Sequence, residues 1–124
     1  MVEQTIQEEV THRWYARPVF FVSDIQRALD FYLGKLGFWK KWHEADGTGT
    51  VCQVNRSDCE IILFQDPTRR DRSRLFVELT REGVEQLVRE IAERSVPTEK
   101  TWWGYDAIRI VDPDGNELLV PLEP

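Results

Sequence analysis

The sequence is short and acidic. Its 124 residues suffice for about one domain, in which about two thirds of the unfolded chain's surface can be buried. Two histidines and two cysteines are too few for a histidine-rich metal cage, a zinc finger or a disulfide scaffold. The net charge of −6 disfavours nucleic-acid binding, because phosphate contacts need basic surface. Five tryptophans favour an aromatic pocket or interface, although core packing also accounts for them.

The N-terminal segment has no feature of an export signal. Residues 1–10 contain neither a basic nor an apolar stretch. The apolar run 19–22 is far shorter than the ~20 residues of a membrane span. Cys52 and Cys59 are therefore expected to be free thiols that fill space in the core. We expect a cytoplasmic protein without a membrane partner, whose residues 1–15 form an arm or a short helix.

The first half of the chain predicts a helix among strands. The β-branched and aromatic residues of 17–22 are typical of a strand. Asp24 then caps a helix over 25–36, in which apolar residues recur every three or four positions, and Gly37 ends it. Turn residues bound three further strands, at 38–44, 50–54 and 59–65.

The second half repeats this order after a polar linker, 66–73. The alternating residues of 74–79 predict a strand, and Thr80 caps the helix that follows it. Pro121 predicts that the end of the last strand is a sheet edge, because proline cannot donate to a β-ladder. Three strands complete this half, at 96–102, 106–111 and 117–122.

The two halves show the same β-α-β-β-β pattern. Phe20 and Phe76 are separated by as many residues as Asp24 and Thr80. The pattern predicts an α+β fold: one domain, 16–124, of two modules that span 16–65 and 74–122. Each module forms a curled mixed sheet with its helix on the convex side. The concave sides enclose a cleft, either within one chain or across a swapped dimer.

Four motifs occur in the order and spacing of a known family. They are Val22-Ser23-Asp24, Phe31-Tyr32 followed by Leu36-Gly37-Phe38, Trp103-Gly104, and Asp112-Pro113-Asp114-Gly115-Asn116. Over about 16–122 the chain resembles the glyoxalase / bleomycin-resistance / extradiol-dioxygenase superfamily, the vicinal oxygen chelate proteins. It is most similar to the bleomycin-resistance branch. That resemblance implies a metal-free homodimer that sequesters a bulky drug and so confers antibiotic resistance.

The resemblance also implies where a metal would bind. Metal-dependent members use His, Gln or Glu on the first and last strands of each half, and the matching positions here are Arg17, Arg74, Leu119 and either Ile62 or Leu63. A guanidinium group has no lone pair to offer a cation, and an aliphatic side chain has none either. No cofactor is therefore expected. A glyoxalase-like or dioxygenase-like lyase, isomerase or oxygenase with an atypical or lost metal site is the alternative.

Strand parity predicts which side chains line the cleft. Glu78 is expected there as a buried carboxylate that pairs with Arg17 or Arg74, and it serves ligand recognition, weak general-base chemistry or only a structural ion pair. The family resemblance places Trp103 at the cleft mouth. The predicted ligand-binding residues are Arg17, Phe21, Arg74, Phe76, Glu78, Trp103 and Leu119.

The tryptophans bear on the class of ligand. Trp39 and Trp42 stand three apart on one strand, which predicts opposite faces, and the same holds for the adjacent Trp102 and Trp103. Aromatic walls suit a flat aromatic or cationic molecule, and an acidic protein attracts cations. A dimer interface without a small ligand would use the same side chains. The sequence thus predicts a homodimeric protein that binds a small molecule, and it leaves the molecule unidentified.

Overall fold

The computed structural model describes residues 14–102, 104 and 106–123, and it confirms two β-α-β-β-β modules. The first comprises β1 (Val19–Val22), α1 (Ile25–Gly34), β2 (Trp39–His43), a short turn α2 (Glu44–Gly47), β3 (Val51–Arg56) and β4 (Cys59–Gln65). The second comprises β5 (Arg74–Phe76), α3 (Arg81–Glu93), β6 (Thr98–Trp102), β7 (Asp106–Val111) and β8 (Glu117–Pro121). In the part described, no helix is long and apolar enough to cross a membrane.

Both predicted helix caps are present. The Asp24 carboxylate accepts hydrogen bonds from the backbone N–H groups of Gln26 and Arg27, and the Thr80 hydroxyl accepts one from Gly83. These bonds satisfy N–H groups that have no partner within the helix. Each helix therefore begins where the sequence predicts.

Each module contributes a four-stranded mixed sheet. The strand orders are β1-β4-β3-β2 and β5-β8-β7-β6. The first strand of each module pairs in parallel with the last, and the other pairs are antiparallel. Helix α1 crosses one face of its own sheet and packs on β2, β3 and β4, as a connection between parallel strands of one sheet requires.

The helix-bearing faces of the two sheets share one core. Phe20 and Tyr32 from the first module belong to the same buried cluster as Leu87 and Ile110 from the second. The helix-free faces lie on the side away from that core, and we call them face A (β1–β4) and face B (β5–β8). Phe20 lies in the core whereas Phe76 lies on face B, so the equal spacing of these two phenylalanines does not mark equivalent positions.

The turn between β7 and β8 joins the modules. Asn116 donates from Nδ2 to Phe21 O (3.0 Å) and accepts at Oδ1 from Ser73 N (2.8 Å). The Tyr32 hydroxyl donates to Asp112 Oδ2 (2.9 Å) within the core. Gly115, with φ of +90°, makes the tight reversal that puts these groups in place. The outer edge of β1 thereby adjoins the start of β5.

Strand β5 is shorter than the predicted strand 74–79. It ends at Phe76, and the last ladder bond runs from Val77 N to Leu119 O (2.9 Å). The next bond, to the Val77 carbonyl, would need an N–H on Pro121, which has none. Strand β8 lies between β5 and β7, so it is not an edge strand over its length. Its end at Pro121 has no partner in β5 but still pairs with Ala107 of β7, so the predicted edge is present on one side only.

Replacing Asn116 by alanine is expected to destabilise the protein by about 2–4 kcal/mol, because the backbone groups of Phe21 and Ser73 lose buried partners. The Asn116→Asp variant keeps the acceptor for Ser73 but turns a carboxylate oxygen toward the Phe21 carbonyl and Asp112. It should be at least as destabilised at pH 7. Urea unfolding of both variants measures the effect, and a loss below about 0.5 kcal/mol would contradict the role of this turn.

Candidate functional site

Face A carries two tryptophans that a β-bulge brings together. Trp39 is opposite Asn55 and Trp42 is opposite Gln53, with the register shift between Lys40 and Trp42. An extra residue in a strand resets the alternation of its side chains. Both tryptophans therefore point to face A, and the prediction that they lie on opposite faces is wrong.

The aromatic side of face A is open to solvent. Val19, Trp39, Trp42 and Phe64 are between 37% and 55% exposed. Phe21 packs edge-on against Phe64, with ring centroids 5.8 Å apart. The guanidinium of Arg69, in the linker, lies 4.0 Å from the centre of the Phe21 ring, a cation–π contact. Such a patch on a small domain is typical of a ligand site or an interface.

A buried glutamine lies beneath this aromatic side. Gln53 is fully buried, and its Oε1 accepts hydrogen bonds from the Trp42 indole Nε1 (2.8 Å) and from Arg17. Its Nε2 donates to Asn55 Oδ1 (2.9 Å) and Glu60 Oε1 (2.6 Å). A side chain with every polar atom engaged has one orientation. Gln53 thus fixes the position of the Trp42 ring and of one arginine.

Face B carries a chain of ion pairs. The buried carboxylate of Glu117 accepts from Arg74 Nε (2.8 Å) and from Arg109, which also bonds Glu99. Burial alone would raise the pKa of Glu117, but the hydrogen bonds from both arginines outweigh burial and lower it. Glu117 is therefore the buried, arginine-paired carboxylate that the sequence analysis assigned to Glu78.

Glu78 lies elsewhere. It is exposed and follows the end of β5 at Phe76. It lines a groove between the modules together with Asp58 and Leu79. The expected buried pair between Glu78 and Arg17 or Arg74 does not fit this position, because the chain leaves the sheet before residue 78.

The other predicted site residues divide between the two faces. Arg17 and Phe21 are on the face A side, and Arg74, Phe76 and Leu119 are on face B. Arg17, which precedes β1, reaches across face A to Gln53. Trp103 lies outside the residues that the structure describes. How these side chains bind a ligand stays a prediction.

The positions that would hold a metal in the family lack suitable donors. Arg17 and Arg74 carry positive charge, Leu119 and Ile62 are aliphatic, and Leu63 is buried in the core. No group of three or more His, Cys, Asp or Glu side chains that could hold a metal ion occurs within residues 14–102, 104 and 106–123. These donors do not fit a divalent cation.

The two cysteines are free thiols on neighbouring strands, as predicted. Burial raises the pKa of both Cys52 and Cys59 to about 11. Thiols with so high a pKa are almost entirely protonated at pH 7 and are poor nucleophiles. Nothing at this site points to cysteine chemistry.

Sequence reasoning missed Gln53 and Arg109. Strand parity puts Glu117 on the cleft side of the last strand, but Glu117 was not identified as the arginine-paired carboxylate. A usable signal was present: Gln53 and Asn55 alternate with the apolar Cys52 and Val54 along one strand, which puts two amides on one face. The common face of the two tryptophans left no such signal. A bulge depends on how neighbouring strands pair rather than on one strand's residues.

Comparison with known proteins identifies the family. The model of the Glyoxalase/Bleomycin resistance protein/Dioxygenase superfamily matches residues 14–120. A search of curated proteins by sequence found no match.

Solved structures share the fold at low identity. A bleomycin-binding protein complexed with bleomycin is 19% identical with a TM-score of 0.70, over 90% of this chain and 100% of that one. A lactoylglutathione lyase from Agrobacterium tumefaciens is 15% identical with a TM-score of 0.65, over 86% and 92%. A superfamily member from Sphaerobacter thermophilus is 26% identical with a TM-score of 0.62, over 88% and 97%.

Replacing Gln53 by leucine should destabilise the protein by about 1–3 kcal/mol, because several buried partners lose a hydrogen bond. The Trp42 indole N–H resonance should move upfield, while the Trp39 resonance serves as the internal control. Indole proton spectra and urea unfolding measure the two effects. An unmoved Trp42 resonance would show that Gln53 does not position this ring.

Proposed function

The chain belongs to the Glyoxalase/Bleomycin resistance protein/Dioxygenase superfamily, and we propose that it binds and sequesters a small molecule without a resident metal. The ligand is a flat aromatic or cationic compound of the drug-like kind. The exposed aromatic side of face A carries this proposal. Trp39, Trp42 and Phe64 offer ring faces to solvent, and such faces attract planar and cationic groups.

The charges of face A support a cationic or neutral ligand. Arg17 donates a hydrogen bond to Gln53, and Glu60 accepts one from the same glutamine and lies 3.9 Å from Lys41 Nζ. On face B, each arginine of the ion-pair chain meets a carboxylate. Since the carboxylates on both faces already have cationic partners, the protein's net charge of −6 sets the long-range attraction for cations.

The absence of a resident metal is part of the proposal. Its basis is the donor set at the family's ligand positions, where two guanidinium groups and aliphatic side chains stand. Elemental analysis of the purified protein tests it. Stoichiometric nickel, zinc, iron or manganese would overturn it and favour an enzyme of the same superfamily.

Homodimerisation is the second part of the proposal. A domain this small with several large exposed apolar side chains gains by covering them in a partner. Sedimentation at about 50 µM protein should give twice the monomer mass. A monomer under these conditions would remove the dimer from the proposal and leave the binding of ligand to be tested separately.

Binding of the planar cation acridine orange, and of bleomycin, should quench tryptophan emission. The double variant Trp39→Ala/Trp42→Ala should lose about tenfold or more in affinity, because two stacking faces disappear. Trp102→Ala is the matched control. Trp102 is also exposed, but it belongs to β6 of the second sheet and so lies outside face A, and it points away from face B. Calorimetry provides the affinities. Equal losses in both variants, or no binding of either probe, would contradict the proposed site.

A further inference from the structure

A groove runs between the modules, at the opposite end of the β1–β5 junction from the Asn116 turn. Its outer chamber has a volume of about 570 Å³, which lies in the range of small-molecule sites. An inner chamber of about 170 Å³ opens from it. The two chambers share lining residues, among them Ser57, Cys59 and Val77. We call both together the inter-module groove.

Two features of the sequence leave this space open. Pro121 ends the pairing of β5, so Val77 and Leu79 line the groove instead of extending the sheet. Val88 on α3 is the equivalent of Tyr32 on α1, because each follows its helix cap, Thr80 or Asp24, by the same number of residues. Tyr32 fills the equivalent region by reaching a turn of the other module, whereas Val88 is 46% exposed and does not.

The inner chamber is apolar. Leu87 of α3 forms one wall, and the helix-bearing sides of β7 and β8 form another. Its further apolar lining is Leu36, Phe38, Ile110, Leu118 and Val120. The polar lining residues are Arg56, Ser57 and Gln86. Arg56 is already bonded to Glu90, so the chamber takes a hydrocarbon group.

The outer chamber has an excess of negative charge. Asp58, Glu60 and Glu78 line it, against one cation, Arg56. Arg56 already donates to both carboxylate oxygens of Glu90, at 3.0 and 2.8 Å. Asp58 and Glu78 are exposed, and neither has a hydrogen bond or ion pair to another residue that the structure describes.

The helix end in the groove does not reverse this balance. Helix α3 begins beside Thr80 and Gly83, and a helix N-terminus carries a partial positive charge of about one half. The Gly83 N–H is satisfied by the Thr80 hydroxyl. Glu60 is already paired with Lys41, whose Nζ lies 3.9 Å from Glu60 Oε1. The two carboxylates left, Asp58 and Glu78, outweigh one neutralised arginine and this partial charge.

We propose that the inter-module groove binds a small organic cation with an apolar body, such as a primary alkylamine. The hydrocarbon enters the inner chamber, and the ammonium group stays in the outer chamber between Asp58 and Glu78. This site is distinct from face A, and the proposal does not depend on the proposed function.

Titration with n-octylamine tests the proposal, below the concentration at which the amine forms micelles. Octylamine should bind at least tenfold more tightly than octanoate, and amide resonances of Ser57, Val77 and Gly83 should move. The variant Asp58→Asn/Glu78→Gln should bind the amine about tenfold more weakly. The matched control Glu82→Gln/Glu85→Gln removes the same charge from exposed positions on α3 outside the lining and should change affinity less than twofold.

Filling the groove provides a second test. Val77→Phe adds volume where the chambers meet and should abolish binding of octylamine, while the charge variants remain informative if this variant does not fold. Octanoate that binds as tightly as the amine, or resonance changes confined to face A, would overturn the proposal. No tryptophan is among the lining residues described, so Trp39→Ala/Trp42→Ala should keep its affinity for octylamine. That result separates failure of the groove from failure of face A.

Discussion

The junction at the β7–β8 turn is the constraint on which the rest of the molecule depends. Asp112 accepts hydrogen bonds from Asp114 N, Asn116 N and the Tyr32 hydroxyl, so one buried carboxylate organises its own turn and holds a residue of the other module. Burial raises the pKa of Asp112, and it raises that of Tyr32 with help from the nearby carboxylate. The free-energy cost of burying these two groups is offset by the hydrogen bonds that they make. Because the turn fixes β1 against β5, it also sets how faces A and B adjoin.

The fold followed from local signals that agreed with one another. Asp24 and Thr80 mark helix starts by chemistry that acts within four residues, and the repeat then orders the strands. The site was harder, because it depends on pairing between strands. Lys41 carries no sign of the bulge that turns Trp42 to the side of Trp39. Glu78 was assigned to a buried pair because the alternation of side chains in 74–79 was assumed to continue to its end. Strand β5 stops at Phe76, where Pro121 of the neighbouring strand ends the pairing.

The two faces differ in the polar group that is buried at their centre. Face A buries an uncharged amide, Gln53, whose hydrogen bonds hold an indole, an arginine and the Glu60 carboxylate in place. Face B engages a carboxylate, Glu117, between two arginines. A buried amide has no charge that must be kept paired when a ligand displaces water beside it, whereas opening the ion chain leaves a buried carboxylate with imperfect partners. Face A is therefore the side better suited to exchange ligands of varied shape.

The bulge in β2 also affects how the protein behaves among its own copies. β2 is the outer strand of its sheet, and a regular outer strand offers its unpaired N–H and C=O groups to any other extended chain. A strand interrupted at Lys41, with Lys40 beside it, is a poor template for such pairing because the backbone is locally twisted and carries two like charges. The same irregularity that exposes two tryptophans on face A thus discourages continuous sheets between molecules. An aromatic surface beside such an edge is therefore less able to seed fibrils.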